Sequence, residues 1–141
     1  MEKFNHIELN NEVTKRGDNG FFKLEKDVEA IEEFLREVDF RTVKFSSEMK
    51  RLRYLVEENF YYNIFDKYIE DEILECLELA ANFKFEFKSY MAASKFYKDY
   101  ALKTNDKKQY LENFNQHVFI VAMYLADGDV ALARELMISM L

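Results

Sequence analysis

The sequence predicts a mainly α protein, an antiparallel helical bundle with a small N-terminal β-flap. Three observations carry that expectation. Proline is absent and glycine occurs three times, so little interrupts a helix. From about Glu25 onward, apolar residues recur at three- and four-residue spacing, the period of one helix face. The stretches between these runs are short, which favours neighbouring helices that return alongside each other.

The flap comes first. Ile7-Glu8-Leu9 and Phe22-Lys23-Leu24 alternate apolar and charged side chains across the turn Arg16-Gly17-Asp18-Asn19-Gly20, the pattern of a short hairpin. A two-stranded ribbon is marginal alone and must lean on the helices. Val28, Ile31, Phe34, Leu35 and Val38 then mark a first helical stripe. Met49, Leu52, Leu55 and Val56 mark a second, opened by Ser46 or Ser47 as N-cap. Ile73, Leu74, Leu77 and Ala81 give a third, and Met91, Phe96, Tyr97 and Tyr100 a fourth.

A fifth stripe runs through Leu111, Phe114, Val118, Val121, Ala122 and Leu125, with Asp106 and Gln109 as the capping-box pair at its start. Asp127-Gly128-Asp129 breaks the chain, and Asp129 caps a last helix with Val130, Ala133, Leu136 and Met137. This divides the chain into 1–45, flap and first helix, and 46–141, the helical remainder.

Composition narrows the chemistry. The 141 residues are 49% hydrophobic and 33% charged, with a net charge of −7. Such a chain folds rather than staying disordered, and is a poor match for a nucleic-acid backbone. The first residues lack the apolar run of a secretion signal and no window suits a membrane span, so a cytoplasmic setting is expected. One cysteine, Cys76, excludes an internal disulfide. Its neighbours Glu72, Glu75 and Glu78 supply the wrong field for a reactive thiol, and a core role is expected. His6 and His117 lie far apart and form no metal-ligand spacing; no metal site is expected. His117 is read as a polar surface or inter-helix group. Glu32-Glu33, Glu57-Glu58 and Glu70-Asp71-Glu72 read as solvated helix faces or helix N-termini. Gly17-Asp18-Asn19-Gly20 lacks the Lys-Ser/Thr that follows a phosphate loop. No catalytic residue is visible.

Three stretches resemble one family. They are Ile7 to Glu12 with Phe22 to Ala30, then Tyr54 to Tyr62, then Phe85 to Ala93 with Lys95 to Asp106, continuing through Tyr110-Leu111-Glu112 to Val121–Asp129. In order and over nearly the whole chain, they resemble the N-terminal region of the alpha, or large, subunit of class Ib ribonucleotide reductases. The resemblance implies deoxyribonucleotide synthesis, serving DNA replication, by thiyl-radical chemistry in a downstream barrel. One cysteine cannot supply the three thiols which that chemistry uses, so this stretch is expected to be non-catalytic.

The resemblance further implies a truncated ATP-cone at the flap, with an adenine nucleotide effector (dATP, dAMP or ATP) and allosteric regulation. The residues expected to bind it are Arg41 and Lys44 for phosphate, Thr42 for a hydrogen bond and Phe45 for base stacking. No other cofactor is expected. The implied partners are the remainder of the alpha subunit, a second alpha subunit and the radical-generating beta subunit, with no nucleic acid and no membrane. The alternative is a stand-alone helical interaction module, as periodicity suggests, which by the resemblance would bind and modulate a reductase.

The chain departs from the family in three places. Lys44 and Ser46 stand where the family has an aromatic residue and a histidine. Asn115-Gln116-His117 replaces Glu-Asp-Arg, and Glu86 replaces Arg. The last two changes suggest relaxed constraint on charges that would face the rest of the subunit.

Overall fold

The computed structural model describes residues 20–141, with side chains from Asp27 onward. Among these residues are six α-helices and no strands. They are α1 (Gly20–Phe40), α2 (Glu48–Glu57), α3 (Glu70–Asn82), α4 (Tyr90–Lys95), α5 (Phe114–Ala126) and α6 (Val130–Met140). A 3-10 turn, Ile64–Asp66, lies between α2 and α3, and a π turn, Phe96–Tyr100, continues α4. In the π turn the Ala101 N–H reaches back five residues to the Phe96 carbonyl at 2.9 Å.

The mainly α expectation holds, and among the described residues no strand of the flap appears. Phe22-Lys23-Leu24, expected as a strand, is helical and lies within α1. Three alternating residues fit a helix as well as a strand, and the helical run into Val38 decides between them. Ile7-Glu8-Leu9 and most of the glycine turn fall outside the described residues.

The chain forms two compact units: residues up to Thr42 with Glu86–Leu111, and Val43–Phe85 with Glu112–Leu141. In the first, α1 buries Ala30, Ile31, Phe34 and Val38. Their spacing places them on one face; Val28 turns away and is exposed. The Phe34 ring meets Tyr90 edge-on at 5.7 Å and Tyr97 at 5.9 Å. Asp27 accepts the Tyr90 N–H at 3.1 Å, which fixes the start of α4 against α1. Residues 102–111 form a backbone-paired loop, Leu111 N–H to Leu102 carbonyl and Thr104 N–H to Gln109 carbonyl, both 2.9 Å.

In the second unit, α3, α5 and α6 share a core with Leu52 of α2 and Ile64. Ile73, Cys76, Phe119, Ala122, Met123, Ala133 and Met137 are fully enclosed. The third helical stripe keeps Ile73 and Leu77 inside, as expected, but its edges differ. Cys76 and Ala80 are inside, while Leu74 and Ala81 face out. Ser47 caps α2 by accepting the Lys50 N–H at 3.2 Å, and Glu72 accepts the Ile69 N–H at the start of α3 at 3.1 Å. Asp127 and Gly128 take left-handed backbone, with φ of 46° and 100°, and Asp129 caps α6 through the Leu132 N–H at 3.1 Å.

One expected cap is displaced. Asp106 does not open α5. Its carboxylate accepts the Thr104 hydroxyl at 2.6 Å and the Lys108 N–H at 3.0 Å. The reciprocal pair at the helix start is Asn113 with Gln116, both contacts 2.8 Å. Tyr110 and Leu111 bond in the extended direction to the Arg41 and Leu102 carbonyls, so helix cannot begin until they are passed.

Candidate functional site

The four residues expected to bind a nucleotide fall in two units. Arg41 and Thr42 close the first. The Thr42 hydroxyl donates to the Val38 carbonyl at 2.6 Å, back along the end of α1. Arg41 Nε donates to the Lys108 carbonyl at 3.0 Å, its Nη1 stands 3.8 Å from Glu37, and its guanidinium carbon lies 5.3 Å from the Tyr110 ring centre. Lys44 and Phe45 open the second unit. Lys44 is exposed, and the Phe45 ring packs on Tyr54 at 5.5 Å. Each residue thus has a place within its own unit. Arg41 and Thr42 serve as the C-terminal closure of α1, where a cation and a side-chain donor suit the unpaired carbonyls.

The second unit contains a polar circuit around two buried charged residues. Arg51 on α2 and Glu112 are 3% and 2% exposed, which demands partners for both. Arg51 Nε donates to Glu48 at 3.0 Å, and Nη1 to the Tyr61 hydroxyl at 3.2 Å. The Tyr61 hydroxyl donates in turn to Glu112 Oε2. The other oxygen of Glu112 meets His117 Nδ1 at 2.6 Å. Gln116 Nε2 donates to the free oxygen of Glu48 at 2.7 Å. Because Gln116 and His117 are adjacent in α5, the chain of contacts closes on itself.

Electrostatics follow from the burial. Enclosure and the neighbouring Glu112 push the Tyr61 phenol well above its ordinary value, so it stays a neutral donor. Burial alone would lower Arg51, but Tyr61 and Glu48 outweigh it and hold the guanidinium above its usual value. This circuit locks geometry. A guanidinium that never releases its proton and a phenol that holds on to its own are poor acid–base catalysts near neutrality.

Asn115, Gln116 and His117, which depart from the family's residues, each have contacts within the second unit. Asn115 Nδ2 donates to the Ala80 and Phe83 carbonyls at 2.9 and 2.8 Å, satisfying the end of α3. Gln116 caps α5 and reaches Glu48, and His117 reaches Glu112. All three positions have internal work. The signal was present in the sequence as Glu112 five residues before His117, but a five-residue offset is not a helical neighbour spacing and passes unnoticed until the cap at Asn113 is placed.

Cys76 is fully buried, and burial, with Glu75 nearby, raises its thiol to about 11. It is inert core, as expected. Among the described residues no group of three or more His, Cys, Asp or Glu is placed to hold a metal ion, and no helix is long and apolar enough to cross a membrane.

Residues 6–85 match the family profile described as ribonucleotide reductase N-terminal. Residues 86–141 match that of the ribonucleotide reductase all-alpha domain. The chain is 43% identical over 133 residues to the ribonucleoside-diphosphate reductase NrdEB subunit alpha of Bacillus subtilis (strain 168), covering 93% of this chain and 12% of that protein. It is also 43% identical over 131 residues to the ribonucleoside-diphosphate reductase subunit alpha of the same organism, covering 92% and 19%. The corresponding subunit of Mycoplasma pneumoniae is 36% identical over 134 residues, covering 94% and 18%. The chain therefore spans less than a fifth of the length of these relatives. The matched residues run continuously through both units, and on that basis the chain belongs to the ribonucleotide reductase family, as an N-terminal region of the large subunit.

Proposed function

We propose that this chain is a non-catalytic N-terminal domain of a ribonucleoside-diphosphate reductase large subunit, acting as a rigid helical platform for the remainder of that subunit. The observation that carries the reading is the closed Arg51–Tyr61–Glu112–His117–Gln116–Glu48 circuit. It uses the domain's buried ionisable groups to fix α2 against α5 and leaves them no role in turnover. The single thiol is enclosed in the core and does no redox work. Further contacts would be with a second alpha subunit and the beta subunit, in a cytoplasmic enzyme supplying deoxyribonucleotides. Complementation is the test. A reductase large subunit lacking the matching N-terminal residues should regain assembly or activity when this chain is added. Failure to associate, with both polypeptides folded, would overturn the platform role.

The regulatory part of the proposal is adenine-nucleotide sensing by the segment Arg41, Thr42, Lys44 and Phe45, the piece that carries the truncated ATP-cone likeness. Its support is chemical: two cations, a hydroxyl and an aromatic ring within five residues. To meet a ligand, Thr42 must release Val38 and Phe45 must leave Tyr54. Calorimetry with dATP, dAMP and ATP tests this directly. Binding that is unaffected by Thr42→Ala and Phe45→Ala would sink the assignment to this segment.

A further inference from the structure

The first unit carries an open groove of about 630 Å³ that no expectation anticipated. That size falls within the roughly 300–1,000 Å³ common for small-ligand sites. It lies between the π turn and the 102–111 loop, and its lining includes Lys98, Lys103, Lys107, Ser94, Tyr110 and Asp99. Three lysines face one carboxylate, and that carboxylate, Asp99, is already paired with Lys95 at 3.4 Å. In a chain of net charge −7, this is a local reversal of sign.

The Lys103 ammonium is anchored by the groove's own backbone. Lys103 Nζ donates to the Lys98 and Ala101 carbonyls at 3.0 and 3.1 Å and stands 5.6 Å from the Tyr110 ring centre. Lys107 sits in a loop tied by its own N–H to the Thr104 carbonyl at 2.8 Å and by the Asp106 contacts. Its φ is 61°, a left-handed conformation in which glycine or asparagine is at ease and lysine is not. The Asp106-tied turn holds Lys107 in this conformation. Ser94 adds a hydroxyl, and Tyr110 a flat apolar wall.

We propose that this groove binds the phosphate chain of a small polyphosphorylated ligand, with Lys98, Lys103 and Lys107 supplying the positive charge. Lysine suits that role as a mobile point charge on phosphate oxygens, and the tied loop lowers the ordering cost of capture. The proposal does not depend on the platform reading or on the segment 41–45.

The test is isothermal titration calorimetry of the whole chain with sodium tripolyphosphate at low salt. Saturable one-to-one binding is expected, weakening about tenfold or more for each lysine removed, through the loss of a charge-assisted hydrogen bond. Lys98→Ala and Lys107→Gly are the variants; the latter removes the cation and relieves the backbone, so lost binding cannot come from unfolding. Thr42→Ala and Phe45→Ala should leave this binding intact. Absence of saturable binding, equal affinity in the lysine variants, or loss in the 42 and 45 variants alone would each overturn the proposal. ATP supplies a second arm. Tighter binding than tripolyphosphate assigns the groove to nucleoside polyphosphates, and equal binding to inorganic ones; either upholds the site.

Discussion

Glu112 and His117 meet at 2.6 Å, Oε1 to Nδ1, across the first turn of α5, with the acid buried and the imidazole partly open to water. The acid's second oxygen takes the Tyr61 hydroxyl. Removing it strands a phenol and shortens the circuit that holds Arg51. Glu112→Ala should therefore cost roughly 3 kcal/mol, in the range for breaking a buried charged pair, read as a lower urea midpoint. His117→Ala should cost less. His117→Arg, which restores the family's residue, should stay within about 1 kcal/mol of the parent. A Glu112→Ala chain as stable as the parent would mean that the circuit contributes nothing.

Gly128 sits where the backbone turns between α5 and α6. Its φ of 100° is closed to most side chains, and a Cβ there would lie 3.3 Å from the Lys67 carbonyl oxygen. Gly128→Ala should destabilise the second unit by about 1–3 kcal/mol through strain at the α5–α6 turn. Thermal unfolding checks this, and an unchanged Tm would show that the turn can shift at no cost.

Asp106 titrates below the ordinary carboxylate range because the Thr104 hydroxyl, then the Lys108 N–H, bond its ionised form. A depressed folded value means that the loop gains stability from the ionised acid above the unfolded pKa and loses it as pH falls through the folded one. The Lys108 amide resonance should accordingly hold steady through the normal aspartate range and move only below it. Movement centred at an ordinary aspartate value would contradict the described contacts.

Cys76 should resist alkylation. An enclosed thiol raised to about 11 offers little thiolate near pH 8. Iodoacetamide should leave the native chain unlabelled and modify it fully in urea. Rapid native labelling would mean that α3 opens on the timescale of the reaction.

Helices were legible because their apolar period is strong. Phe34, Leu52, Ile73, Val118 and Met137 are inside, as the spacing indicates. Exact faces were less legible where a small residue competes with a large one. Ala30 takes the place expected for Val28, and Ala80 and Cys76 flank Leu77 where Leu74 was expected. Asp106 misled because an acid three residues before a glutamine fits a capping box and an Asx-type turn equally well. Only the non-local pairing of Tyr110 with Arg41 selects the turn. The circuit was hidden for the same reason: Arg51, Tyr61 and Glu112 are far apart in sequence, and single-residue chemistry gives no sign that they meet. Lys98, Lys103 and Lys107 are five and four residues apart in sequence and form no motif there; the π turn and the paired loop bring them to one groove.

The order in which the chain visits its units bears on how it folds. It leaves the first unit after Thr42 and returns to it only at Glu86, and the second is finished by residues after Leu111. Phe34 and Tyr90, which meet in the first unit, are separated in sequence by a stretch in which residues 43–85 belong to the second unit. Closing such a loop costs chain entropy before any contact rewards it. On the ribosome, which releases the N-terminal end first, Phe34 of α1 must wait for α4 and the π turn to emerge before it can meet Tyr90 and Tyr97. The first unit can therefore close only after residues 43–85 of the second have been made.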